Sequence, residues 1–309
     1  MTNDDVQRSP SVVRTARAPA FRDLFGRLPE ARGAAPICLN LLGHARESGG
    51  YTLHVVTSEQ ARVELAHRSD PLISAAHLGR HGPVELRQYQ LGSESAGAAW
   101  VDGVQFTTRL LSRLGFNLGG FDLRVESDFD VEFFGVPTCI ALMRVLRSAF
   151  QLDLNDARLA LFARTALGCL EPSAASAASP AFTRSAVLIE GLTERCHAAA
   201  LPRDVELTVI STGQAALPRL ALPATRPPAE PFALRRRAAH LADERRRAVQ
   251  AFNAIQGDDA LRLGEILSES HDSLRILEYT ESAELDTLVD LARRDLDVYG
   301  ARMLEGLPW

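Results

Sequence analysis

Two hydrophobic periods alternate along the first 210 residues of this chain, and that alternation restricts the fold more than any other feature. In FDLRVESDFDVEFF, Leu123, Val125, Phe129, Val131 and Phe133 occupy every second position or nearly so, which is the period of a strand with one face turned to a core. Just before it, residues 101–114 space Val101, Val104, Leu110, Leu111 and Leu114 as a helix does, and Gly115 with the Asn117-Leu-Gly-Gly120 run stops that helix. Strand–turn–strand alternation is expected around Gly49 and Gly50, with Tyr51, Leu53 and Val55 on one side of it. Helices are expected over 138–150 and 155–167, the second with Asn155 as N-cap and Asp156 in its first turn. SAVLIEG and DVELTVIS read as buried strands. Mixed α/β architecture follows.

A proline-rich segment at 212–231, TGQAALPRLALPATRPPAEP, cannot be regular structure and reads as a connector. Beyond it the pattern is helical to the end, first with Leu234, Leu241, Val249, Phe252 and Ile255 on one face. Next come Leu263, Ile266, Leu267 and Leu274, then Leu285, Leu288, Val289 and Ala292 behind the expected cap Ser282. Residues 171–180, EPSAASAASP, form a second low-complexity break.

A hydrophobic fraction of 46% and a charged fraction of 24% over 309 residues suit a globular chain with room for two domains. The net charge of -5 gives no basic surface for nucleic acid, so a small molecule or a protein is the expected partner. All 34 basic side chains are Arg, which excludes a Schiff-base lysine and a lysine on a nucleotide phosphate. Cys38, Cys139, Cys169 and Cys196 lack C-x-x-C spacing and read as buried free thiols, with no metal expected. Residues 1–20 read as a disordered tail. Neither a signal peptide nor an apolar run long enough to span a membrane is visible, so a cytoplasmic location is expected.

Three stretches carry a family likeness. AAPICLNLLGHARESGGYTL at 34–53 resembles the opening motif A-P-G-R-V-N-L-I-G-E-H-T-D-Y-N-G-G of galactokinases, through Ala35, Pro36, Asn40, Leu41, Gly43, His44, Gly49 and Gly50. GGFDLRVESD at 119–128 is similar to the strand that leads into their phosphate loop, and 235–303 follows their helical carboxyl half, including GEILSESHDSLR at 264–275. The chain thus resembles the galactokinases of the GHMP kinase family. This resemblance implies an α+β or α/β, two-domain GHMP kinase-like fold: a ribosomal protein S5 domain 2-like amino-terminal domain over 21–180 and a shortened ferredoxin-like carboxyl-terminal domain over 181–309.

The family binds ATP and magnesium, and its phosphate loop places glycines before a helix N-terminus. The matching stretch here carries Asp130, Glu132, Phe133 and Phe134, with Glu132 and Phe134 at the glycine positions and Thr138 where a magnesium-binding hydroxyl would sit. Cys38 occupies the position of the family's catalytic Arg, and the position of its catalytic Asp falls in 171–180, where only Glu171 is acidic. ATP and magnesium binding in the family's manner is therefore not expected. On the sugar side, His44 and Glu47 resemble the family's hydroxyl-binding His and acid, with Arg46 an alternative alignment for Glu47 and Asn40 a further ligand candidate. His271 is expected to pack or cap within its helix. The acidic residues from Glu126 to Glu132 read as a solvent-facing strand edge, with a metal or cation site as the alternative.

The leading expectation is a pseudokinase that binds a sugar, a sugar phosphate or another small polar molecule, or a protein partner, without phosphoryl transfer. An alternative is an enzyme with a different reaction that uses His44, Glu47, Asp130 or Glu132 as acid or base. A third is a sugar kinase with an altered nucleotide mode.

Overall fold

The computed structural model describes residues 18–43, 50–78, 84–94, 100–127, 135–166, 179–191, 193, 195–210, 231–276 and 283–304. A short helix α1 (Phe21–Phe25) precedes four strands, β1 (Ala31–Leu42), β2 (Tyr51–His67), β3 (Leu72–Leu78) and β4 (Glu85–Gln90). Then follow α2 (Val101–Arg113), β5 (Phe121–Ser127), α3 (Val136–Ala149), α4 (Asp156–Ala166), β6 (Ser185–Glu190) and β7 (Cys196–Ala200). The chain closes with α5 (Pro231–Gln256), α6 (Ala260–Ile276) and α7 (Ala283–Ala292).

One seven-stranded sheet organises these elements, in the order β4-β3-β5-β2-β6-β7 with β1 along the other side of β2. Strand β2 is 17 residues long because it serves two neighbours in succession. Its first part, Tyr51 to Val56, pairs antiparallel with β6, and its last part, Ala61 to His67, pairs antiparallel with β5. The β3–β5 pair is parallel, and α2 lies on the connection between those strands, as a parallel pair requires a crossover. Since β6 lies beyond residue 180 and pairs with β2, the segments 21–180 and 181–309 share this sheet.

Alternate residues of the shared strands feed two cores. Val56, Val187 and Ile189 join the core formed by α2, α3 and α4, whereas Val55, Ala186 and Leu188 join the core that α5 and α6 build with Leu53, Phe252 and Ile266. The unbroken apolar run in β6 is thus a strand covered on both faces. The expected helices over 101–114, 138–150 and 155–167 are α2, α3 and α4, and Arg158 N–H donates to Asn155 Oδ1 at 2.9 Å, the N-cap bond that Asn155 promised.

Of the acidic residues from Glu126 to Glu132, only Glu126 is described; it is half-buried, with Arg124 Nη1 at 2.9 Å. Asp122 and Arg124 are buried, because residues 18–30 cross over them: Arg27 Nη2 meets Asp122 Oδ2 at 2.5 Å, and Arg124 Nε donates to Pro19 C=O at 2.9 Å. Arg68 also binds Asp122, and Glu64 and Glu126 bind Arg124, so the charges are buried in pairs as desolvation demands. One expectation is corrected: the described part of DVELTVIS, residues 204–210, is not a strand; Val209 and Ile210 are exposed, and among the described residues it has no ladder partner beside β7. Alternation alone cannot supply the neighbour that a strand requires. Residues 1–17 of the expected tail, most of 171–180, and Ser282 lie outside the described residues.

Candidate functional site

The site is framed by the end of β1 and the start of β2. Among the described residues β1 pairs only with β2, so Pro36 sits in an edge strand that tolerates its missing N–H. Register shifts fall between Pro36 and Cys38 and again between Asn40 and Leu42, so Cys38, Leu39 and Asn40 form a short paired stretch between two irregularities. Such bulges re-aim side chains and are common beside functional sites. In this stretch Cys38 lies opposite Val56 and Asn40 opposite His54, so these four share a face of the sheet.

That face is polar for a buried surface. His54 Nε2 lies 3.1 Å from Thr52 Oγ1, and burial drives its pKa down to about 4, which keeps the imidazole neutral. His54 Nδ1 and Asn40 Oδ1 are buried without a hydrogen-bond partner. Burial pushes the Cys38 thiol up to about 12, so it is neither a thiolate nor a charge. Its Sγ donates to the carbonyl of Pro36, at 3.7 Å.

Gly43 closes the frame. Its φ of +87° is a left-handed value, and a Cβ there would stand 2.1 Å from the Tyr51 carbonyl oxygen, so no other residue fits. Asn40 Nδ2 donates to Gly43 C=O at 3.1 Å, and Gly43 N–H donates to Glu244 Oε2 at 3.3 Å. Glu244 belongs to α5 and is itself held by Ser270 Oγ at 2.6 Å, Arg247 Nη1 at 3.0 Å and Arg302 Nη1 at 3.4 Å. Burial opposes its charge, yet Arg302, the Ser270 hydroxyl, His240 and the Gly43 N–H together outweigh burial and hold the carboxyl below its ordinary value. His271, fully buried on α6, accepts from Met303 N–H at 3.4 Å and lies 3.4 Å from Asp286.

Thr138 is buried in the first turn of α3, whose N-cap is Gly135. Pro137, also in that turn, has no N–H, so this helix start offers one amide donor fewer to an anion. Of the residues singled out from the sequence, Cys38, Asn40, Thr138 and His271 are thus placed. His44, Arg46, Glu47, Glu171, Asp130, Glu132, Phe133 and Phe134 lie outside the described residues. Among the described residues no three His, Cys, Asp or Glu side chains are grouped to hold a metal ion, and no helix is long and apolar enough to cross a membrane. Sequence reasoning missed Glu244, because LADERRR reads as an ordinary solvated helix face; it missed His54, which stands beside the apolar Leu53, Val55 and Val56.

No protein-family model matches the chain. Over 347 aligned residues it is 26% identical to the galactokinase of Chloroflexus aggregans, covering 93% of this chain and 84% of that protein. A stretch of 73 residues, 24% of this chain and 21% of the relative, is 38% identical to the galactokinase of Thermotoga petrophila. Lactococcus lactis galactokinase, solved in complex with galactose, superposes with a TM-score of 0.71 at 18% identity over 92% of this chain and 84% of that one. The chain is galactokinase-like in sequence and has a GHMP kinase-like fold. Its GHMP kinase fold is shared more distantly with Methanococcus jannaschii mevalonate kinase, at a TM-score of 0.57 and 12% identity over 89% of this chain and 87% of that one. In galactokinase-like terms, the Gly43–Glu244 bond joins the opening motif to the helical carboxyl half that carries Ser270 and Arg302.

Proposed function

We propose that this galactokinase-like chain binds a sugar or another small polar ligand at the loop framed by β1 and β2, without moving a phosphate to it from ATP. The observation that carries the reading is Cys38. At the position of the family's catalytic Arg there is a buried thiol whose pKa is pushed up to about 12, and such a group cannot stabilise the charge that builds on a phosphoryl group in flight.

The fit of ATP and magnesium is poor on further counts. Pro137 removes a donor at the helix start that would face the phosphates, and Thr138 is buried there. In sequence, Glu132 and Phe134 stand where the family has glycines, and a carboxylate repels a triphosphate. The sugar side is better supplied, with Asn40 and Gly43 held in place and His44 and Glu47 next in the chain. The galactose in the Lactococcus lactis relative makes D-galactose and galactose 1-phosphate the first probes.

Thermal melts test the reading. A ligand at about a hundred times its Kd stabilises by about 2.7 kcal/mol, so a sugar probe should raise the melting temperature and ATP with magnesium should not. His44→Ala should weaken sugar binding by about 1 kcal/mol or more, the size expected for one lost hydrogen bond, with the fold intact. A clear stabilisation by ATP with magnesium at millimolar concentration or below would overturn the loss of kinase activity.

A further inference from the structure

Gly43 is the residue from which the segment carrying His44, Arg46 and Glu47 departs, and both its backbone polar groups are taken by side chains. Asn40, from its own strand, holds the carbonyl, and Glu244, 201 residues later in the chain, holds the N–H. At the far end of the same segment the Gly50 carbonyl accepts from Gly191 N–H at 2.8 Å, in the turn after β6. Both ends are therefore fixed, one by the sheet and one by a helix of the carboxyl half.

A carboxylate that only balanced Arg247 and Arg302 would not need to reach β1. Glu244 does both: Oε1 accepts from Ser270 and Arg247, and Oε2 accepts from Arg302 and Gly43. Ser270 and Arg302 also bond to each other at 2.9 Å, so α5, α6 and the chain after α7 meet on one acceptor that also reaches Gly43. Building on the reading that a ligand binds at this loop, we infer that Glu244 is a positioning residue: it orients the Gly43 peptide and makes ligand affinity depend on how α5 and α6 are packed. The coupling runs through the single Gly43–Glu244 bond, a short physical connection between two elements far apart in sequence.

The test uses the full chain and its Glu244→Asp and Glu244→Gln variants, with amide exchange at Gly43, Ala248, Ala251 and Ile255 read by NMR and D-galactose binding read by titration. Glu244→Asp keeps a charge for the arginines but is one methylene too short for Gly43. Exchange at Gly43 should rise about tenfold and galactose binding should weaken about tenfold, the equivalent of one charge-assisted hydrogen bond, with the α5 amides unchanged. Glu244→Gln keeps the reach and should return Gly43 exchange towards that of the unaltered chain. Unchanged Gly43 exchange in Glu244→Asp overturns the inference. So does a rise that Ala248, Ala251 and Ile255 share equally, since it would mark a merely structural role. Failure of the unaltered chain to bind galactose would count against the sugar reading, and the positioning role would then stand or fall on the exchange measurements.

Discussion

Gly33 on β1 and Val145 on α3 touch at a distance that leaves no room for a side chain: a Cβ at Gly33 would stand 2.6 Å from Val145 Cγ2 and 2.7 Å from the Ala141 carbonyl oxygen. The helix therefore lies directly on the strand whose other end carries Cys38 and Asn40 and leads into Gly43. Gly33→Ala should push the two apart and cost about 1–3 kcal/mol, as overpacking of a tight core usually does. Chemical denaturation checks it, and a loss below about 0.5 kcal/mol would mean that α3 shifts freely on the sheet.

His54 should make stability depend on pH. The unfolded imidazole takes a proton near pH 6.5, whereas the buried one resists until about pH 4, so between these values the unfolded chain binds more protons and falling pH favours unfolding. The contribution is fully present above pH 6.5 and is lost by about pH 4, with an upper size of roughly 3 kcal/mol. His54→Asn should flatten the stability profile over that window. A mutant profile parallel to that of the unaltered chain would show that His54 does not titrate as its burial requires.

Glu244 acts in the opposite sense to a raised group. Its carboxyl is depressed in the folded chain, so the stability that it contributes is present above the ordinary carboxylate pKa and disappears as pH falls through the lower folded value. Glu244→Gln should be destabilised most at neutral pH and approach the unaltered chain in acid. Denaturation midpoints at pH 7 and at pH 3.5 to 4 give the comparison.

The cysteines should separate by accessibility. Cys38 and Cys139 are buried and Cys196 is only partly so. Alkylation of the folded chain at pH 8 should mark Cys196 well before Cys38, whose high pKa leaves almost no thiolate. Peptide mass spectrometry follows both sites. Equal rates at Cys38 and Cys196 would remove the main support for a neutral group at the former arginine position.

His271→Ala should lower stability by about 1–3 kcal/mol, because it opens a cavity and strands the Met303 N–H, while leaving sugar binding in place. Melts and titrations of this variant beside His44→Ala show whether the ligand lies on the β1–β2 side.

Much of this was legible in the residues themselves. Period two around Leu123 and Val125, period 3.6 along α2 and α6, and the Asn155 cap depend on local stereochemistry, so α/β architecture and most element positions follow from sequence. The motif at 34–53 pointed to the galactokinases, and the loss of Arg at position 38 was visible as Cys38. The sequence also located Gly43 and Asn40. What it could not determine was which distant groups meet. Nothing in the sequence showed that residues 18–30 cover Asp122 and Arg124, Val209 and Ile210 read as a strand although that segment pairs with no other among the described residues, and Glu244 read as one more charge in an arginine-rich helix. Burial and hydrogen bonding belong to three-dimensional neighbours, so only the tertiary structure could decide that Glu244 lies inside the protein and holds the N–H of Gly43.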